Sequence, residues 1–204
     1  MGSVIRYRPV LLLAILLSMA STSLAANSAC VISGRGFFRI HVDSAGLFAA
    51  FGHNHVIEAQ KIVGCAEIDG QNITRSSIKL DFPTADIRVL DPKESAEDGA
   101  KVQKTMEAEV LRISEYPRVR FESTSFETAE APNRLRVRGN LSIRGKVQPV
   151  VIPLAVTQSG DGTYRATGEY RFKQTMFGIE PIRLIGGAVK VKDEVRAEFE
   201  LFLK

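Results

Sequence analysis

The sequence predicts an all-β protein of about eight antiparallel strands, closed into a barrel, with one helix inserted between two of them. Three observations carry this. Apolar and polar residues alternate with period two over long stretches, most clearly from Val119 to the C-terminus. A single stretch, 95–113, switches to a helical period. Short clusters of Gly, Asp, Asn and Ser separate the alternating runs, as hairpin turns require.

Taken in order, Cys30 to Val42 reads as a strand in which Phe38, Ile40 and Val42 alternate with Phe37, Arg39 and His41. Asp43-Ser44-Ala45-Gly46 is a turn, and Leu47 to Phe51 is a short apolar segment. Lys61 to Asp69 is a strand with Ile62, Ala66 and Ile68 on one face, followed by a turn at Asp69-Gly70-Gln71-Asn72. Ser76 to Val89 reads as one long strand with Ile78, Leu80 and Phe82 on one face, and Pro83 marks an edge or a bulge in it. The helix presents Val102, Met106, Val110 and Ile113 on one side and ends before Tyr116-Pro117, because the residue before a proline avoids the helical region.

Beyond Pro117 the pattern is strand after strand. Val119, Phe121 and Ser123 share one parity; so do Leu135, Val137, Leu141 and Ile143; so do Tyr164, Ala166, Gly168, Tyr170 and Phe172. Arg144-Gly145-Lys146 and Ser159-Gly160-Asp161-Gly162 are turns. Val150 to Val156 is apolar on both faces, which predicts a doubly covered strand. Val189 to Leu203 reads as one last strand with Val189, Val191, Val195, Ala197, Phe199, Leu201 and Leu203 on one parity. One-sided strands must cover their apolar face, by a second sheet or by closure. Small residues among the large inward ones (Gly36, Ala66, Gly139, Ala166, Gly168, Ala197) and the absence of Trp favour a barrel with a cavity over a packed sandwich.

Residues 1–25 read as a secretory signal peptide: Arg6 and Arg8, an apolar run from Val10 to Ala20, then Ser23-Leu24-Ala25 as the cleavage site. Residues 26–204 form one domain. The predicted location is periplasmic or secreted, with no stable membrane insertion once the leader is gone. Losing the leader removes two arginines and no acid, so 27 basic against 23 acidic residues becomes 25 against 23. That balance excludes nucleic acid as the expected partner. Export permits a disulfide between Cys30 and Cys65; two small buried thiols are the alternative, and spacing does not choose between them.

The densest polar chemistry is Gly52-His53-Asn54-His55. Two imidazoles two residues apart on an extended chain are about 7 Å apart and can share a zinc or copper ion. A third ligand would come from His41, Glu58, Asp43 or a cysteine, and no fixed-spacing metal motif supplies it. Hydrogen bonding within a bend accounts for the same residues. Ser123 and Ser125 lack a nucleophile elbow, and Glu107, Glu109, Glu198 and Glu200 fall at exposed parities, so no catalytic constellation emerges. Arg134, Arg136, Arg138 and Arg144 form a basic stripe, read as a solvated face that discourages edge pairing in preference to an anionic-membrane contact.

Three motifs then resemble a known family. Tyr116-Pro117-Arg118-Val119-Arg120-Phe121-Glu122-Ser123 looks like a YP-x-I-x-F-x-S signature. Gly139-Asn140-Leu141-Ser142-Ile143-Arg144-Gly145-Lys146-Val147-Gln148-Pro149-Val150 looks like a G-x-L-T-I-x-G-V-T-x-P-V hairpin, and Phe177-Gly178 sits where an FG turn precedes the last strand. In this order around one helix, they resemble the YceI-like family of secreted, lipocalin-like lipid-binding proteins. The spacing of Gly52-His53-Asn54-His55-Val56 from Gly64, and the connection 179–187, depart from the family pattern and suggest a divergent branch.

The resemblance implies an elongated lipocalin-like barrel with an internal tunnel for an amphiphilic, isoprenoid-like lipid, no cofactor and no catalysis. Inward parity assigns tail contacts to Phe38, Ile40, Phe82, Phe121, Tyr170, Phe172 and Phe199, and the lipid head to His53, Asn54 and His55. The alternative function is periplasmic metal binding by His53 and His55. The oligomeric state is left open, a homodimer included.

Overall fold

Eight strands close a ring through a single seam. The computed structural model describes residues 27–45, 54–90, 95–184 and 189–204. Its strands are β1 (Asn27–Val42), β2 (Ser44–Ala45), β3 (His55–Ala59), β4 (Val63–Ile68), β5 (Ser77–Pro83), β6 (Ile87–Val89), β7 (Arg118–Thr128), β8 (Arg134–Ile143), β9 (Lys146–Gln158), β10 (Tyr164–Lys173), β11 (Arg183–Leu184), β12 (Val189–Val191) and β13 (Glu194–Leu203). The ring runs β1-β4-β5-β7-β8-β9-β10-β13, and an antiparallel β13–β1 pairing closes it. The helix lies between β6 and β7. The predicted leader, 1–25, the segment Leu47 to Phe51, and His53 lie outside the described residues.

β1 holds the seam because it changes partner along its length. Its first residues pair with β4, from Asn27↔Ile68 to Cys30↔Cys65; its last pair with β3, from Arg39↔Glu58 to Val42↔His55. Between them its register against β13 breaks, from Val31↔Leu203 to Gly36↔Leu201. Gly36 sits in that bulge at φ +85°, where a Cβ would collide with the Glu200 carbonyl. It is exposed, so it is not one of the small inward residues the alternation suggested. Just before the bulge, Cys30 and Cys65 form a disulfide across a directly opposed pair, with Cα atoms 3.9 Å apart. On the other edge, Cys30 and Lys204 exchange both backbone hydrogen bonds, each 2.9 Å.

Two of the long strands read from the sequence are each broken in two. The run from Ser76 to Val89 stops at Pro83, makes a short 3-10 turn over Thr84–Asp86, and resumes as β6, which pairs with β3 and not with the ring. Pro83 has no N–H to continue a ladder, and Thr84 turns inward, 2 % exposed, with its hydroxyl donating to the Tyr116 carbonyl at 3.0 Å. The run from Val189 to Leu203 divides at Lys192-Asp193: β12 joins β11 and β2 in a separate three-stranded sheet, and only β13 enters the barrel. Asp193 anchors the break by accepting from the backbone N–H and hydroxyl of Thr175, at 2.9 and 2.8 Å.

The doubly covered reading of Val150 to Val156 is also corrected. Val150 is buried, but Val151 is 37 % exposed and Pro153 is exposed. A barrel covers only its inner face, and β9 pairs with β10 only from Leu154 onward, so the prolines fall on a stretch open along one edge. Arg144 and Gly145, at φ +49° and +70°, make a two-residue turn with both central residues left-handed, which matches the twist of the β8–β9 hairpin.

The helix, α1 (Ala96–Thr105), starts at Ser95, whose side chain accepts from the Asp98 N–H. It continues as a wider π-turn over Met106–Leu111 and stops at Arg112, φ +50°, four residues before the Tyr116-Pro117 end expected from the sequence. Gln103 staples α1 to β6: its Oε1 accepts from the Val89 N–H at 2.8 Å and its Nε2 donates to the Ile87 carbonyl at 2.9 Å. An otherwise open strand edge is thereby satisfied by a side-chain amide.

Candidate functional site

The inward parity of the ring strands builds an interior of two adjoining lobes. One, about 150 Å³, lies toward the Asp69–Ser76 turn; the other, about 140 Å³, lies under the π-turn of the helix. Phe38, Phe82, Leu141 and Phe172 line both, so the lobes meet at a waist of these four side chains. At the waist the Phe38 and Phe82 rings are 4.7 Å apart between centroids, tilted by 55°. Phe38 also stacks on Phe199 at 5.8 Å, and Phe172 stacks on Tyr170 at 5.9 Å and meets the edge of Phe177 at 5.6 Å.

All seven side chains assigned to a lipid tail line this interior. Phe121, Tyr170 and Phe199 wall the first lobe, Ile40 the second, and Phe38, Phe82 and Phe172 both. Two of the small residues have a different job from the one composition suggested. A Cβ on Gly139 would stand 2.6 Å from the Phe121 ring, and one on Gly168 would stand 2.5 Å from the Phe199 ring. These glycines are recesses that seat aromatic rings, while Ala66, Ala166 and Ala197 line the open space of the first lobe.

Asn54 and His55 fall outside the lining of both lobes. Asn54 is exposed, and its Oδ1 accepts from the Ser44 backbone N–H at 3.0 Å, which ties the start of β3 to β2. His55 is in register with Val42 and two residues along the strand from Ile57, and both of those line the second lobe. Strand alternation therefore sets His55 at the rim of that lobe. Of the third-ligand candidates, His41 points outward and pairs with Glu198 at 3.0 Å, and Glu58 pairs with Arg39 at 2.7 Å. Among the described residues no group of three or more His, Cys, Asp or Glu is placed to hold a metal ion.

The sequence reading gave Met106 and Val110 to the apolar face of the helix but not to the cavity, and gave no role to Leu111 or Gln174. Met106, Val110 and Leu111 roof the second lobe, because the π-turn brings Val110 and Leu111 to the same side. Gln174, 7 % exposed, lines the same lobe; its Nε2 donates to the Lys192 carbonyl at 2.9 Å, which leaves its Oε1 without a donor among the described residues. In the first lobe, the Ser76 hydroxyl accepts from the Asp69 N–H at 3.0 Å, and the Tyr170 hydroxyl bonds no described residue. Burial pushes the Tyr170 pKa up, which keeps it neutral. No periodicity distinguishes a Gln on a 3-10 turn from an exposed one, so Gln174 carried no signal.

The fold recurs in solved structures. Burkholderia cenocepacia BcnA superposes with a TM-score of 0.68 at 19% identity, over 84% of this chain and 98% of that one. A polyisoprenoid binding domain from Saccharophagus degradans, described as implicated in plant cell wall breakdown, gives 0.61 at 10% identity over 88% and 98%. The Campylobacter jejuni YCEI protein gives 0.55 at 13% identity over 72% and 82%. At these identities the likeness is one of fold. A comparison with curated proteins finds no match. Residues 40–203 match the YceI-like domain, and with the barrel, the inserted helix and the three motifs in place, the chain belongs to the YceI-like family.

Proposed function

We propose that this protein sequesters or carries an amphiphilic, isoprenoid-like lipid in the barrel interior, in the periplasm or outside the cell, and performs no catalysis. The observation that carries the reading is the two-lobed interior, lined almost wholly by apolar side chains, whose lobes adjoin at four shared ones. Such a space takes a long, thin, apolar ligand; at about 25 cal/mol per Å² of apolar surface, an enclosed tail supplies several kcal/mol. The polyisoprenoid binding named for the Saccharophagus degradans domain is in keeping with this.

The lipid's polar head meets the rim of the second lobe at His55; His53, assigned to the head with it, lies outside the described residues. Within that lobe the Gln174 Oε1 is an acceptor for a hydroxyl. The test is displacement of a fluorescent fatty-acid probe from the delipidated protein. Geranylgeraniol is expected to compete strongly and a short-chain alcohol weakly, and Ala166→Phe, which fills the first lobe, is expected to weaken probe binding in protein that stays folded by circular dichroism. Probe binding unaffected by Ala166→Phe would place the ligand elsewhere.

A further inference from the structure

We infer that the outer face of the β8–β9 hairpin is a docking face for an anionic lipid bilayer. The hairpin runs from Arg134 to Gln158 and carries Arg134, Arg136, Arg138, Arg144 and Lys146 with no Asp or Glu, in a chain whose basic and acidic residues are otherwise nearly balanced. Composition alone reads this as a solvated basic strand. The structure adds an apolar ridge beside it. Val147, Pro149, Val151 and Pro153 all point outward along β9, with Val147 57 % and Val151 37 % exposed. Two of the four exposed large apolar side chains among the described residues, Val147 and Val151, therefore share one face.

The cations border that ridge. Arg136 is opposite Pro153 and Arg138 opposite Val151 in the β8–β9 register. The other two basic residues leave this face: Arg144 donates to the Val110 carbonyl at 3.2 Å, and Lys146 opposes the buried Ile143 and lies against Gly178. Arg138 pairs with Glu127 of β7. Arg136 faces the same Glu127 across the strands, but its guanidinium, like that of Arg134, forms no ion pair with a described residue. An aliphatic ridge flanked by cations suits a surface that is negative outside and hydrocarbon beneath. A second copy of the chain would oppose three cations to three, and the ridge has no aromatic anchor of the kind that dominates protein interfaces. The inference is independent of what the cavity holds.

The experiment is co-sedimentation of the purified protein with vesicles of phosphatidylcholine alone and of phosphatidylcholine mixed with phosphatidylglycerol. Binding to the mixed vesicles only, reversed by salt, is expected. Arg134→Gln with Arg136→Gln is expected to weaken it about 25-fold, at about fivefold per cation. Val147→Ser with Val151→Ser is expected to weaken it with the salt dependence unchanged. Lys79→Gln with Lys101→Gln makes the same charge change elsewhere and is expected to leave binding as it was. Equal loss in that control, no binding to the mixed vesicles, insensitivity to the hairpin variants, or hairpin variants that alter only the oligomeric state would each overturn the assignment.

Discussion

The Phe38 and Phe82 rings meet at 4.7 Å inside the barrel, and each of them walls both lobes of the cavity. They come from strands two apart in the ring, with β4 between them: β1 at the seam and β5 at the point where the chain leaves the barrel for β6. Their contact lies where the two lobes adjoin.

Widening this waist should change which ligand is retained. Phe82→Ala removes a ring that is 5 % exposed and is expected to cost about 3 kcal/mol of stability. It should also shift the retained lipids toward longer or bulkier tails. Urea denaturation and mass spectrometry of the bound fraction read the two effects. An unchanged lipid profile in a folded variant would show that the waist does not select.

The glycine recesses make a sharper packing prediction. Gly139→Ala and Gly168→Ala each drive a Cβ into an aromatic ring and should destabilise by about 1–3 kcal/mol. Gly160→Ala, where nothing lies within 4 Å, should be nearly neutral. Thermal unfolding of the three variants orders them, and a Gly160 variant as unstable as the other two would contradict this account.

The disulfide closes a separation of 35 residues at the seam. By the chain-entropy relation its loss should cost about 4 kcal/mol. Reduction, or Cys30→Ser with Cys65→Ser, should lower the urea midpoint accordingly, and an unmoved midpoint would mean that the β1–β13 pairing and the Lys204 backbone bonds hold the seam alone.

Acid should weaken the outer face. Hydrogen bonds from Arg138, Arg196 and Arg165 hold Glu127, Glu169 and Glu200 below the ordinary carboxylate value of 4.5, and the Thr163 backbone N–H does the same for Asp161 from 3.8. A carboxylate whose pKa is depressed by folding contributes stability above its unfolded pKa, and that contribution disappears as pH falls through the folded pKa. The melting temperature should be flat from neutrality down to the mid-fours and fall below that, with salt reducing the slope because these groups are exposed. A melting temperature that rises as the solution is acidified would contradict the assignment.

Much of the fold was legible because the cavity walls obey a simple alternation. β8 and β13 keep their parity throughout, so Val137 and Leu201 were placed inside without ambiguity. The alternation misled where backbone chemistry broke it. At Ser123/Ser125 a bulge shifts the register and brings Phe126 inward; the Ser123 Oγ fills the gap by accepting from the Ile78 N–H at 2.8 Å. At Pro83 and Asp193 the strand direction changes although the residue pattern continues. The tail-facing part of the cavity was therefore readable from parity, while its roof and its buried amide, Gln174, depend on a π-turn and a 3-10 turn that leave no periodic trace.

The account rests on the interior being occupied by a lipid, and one measurement addresses that directly: mass spectrometry of an organic extract of the protein purified without detergent. A near-stoichiometric isoprenoid-like lipid, depleted in a folded Ala166→Phe variant, is the predicted result. An empty extract from well-folded protein would contradict it.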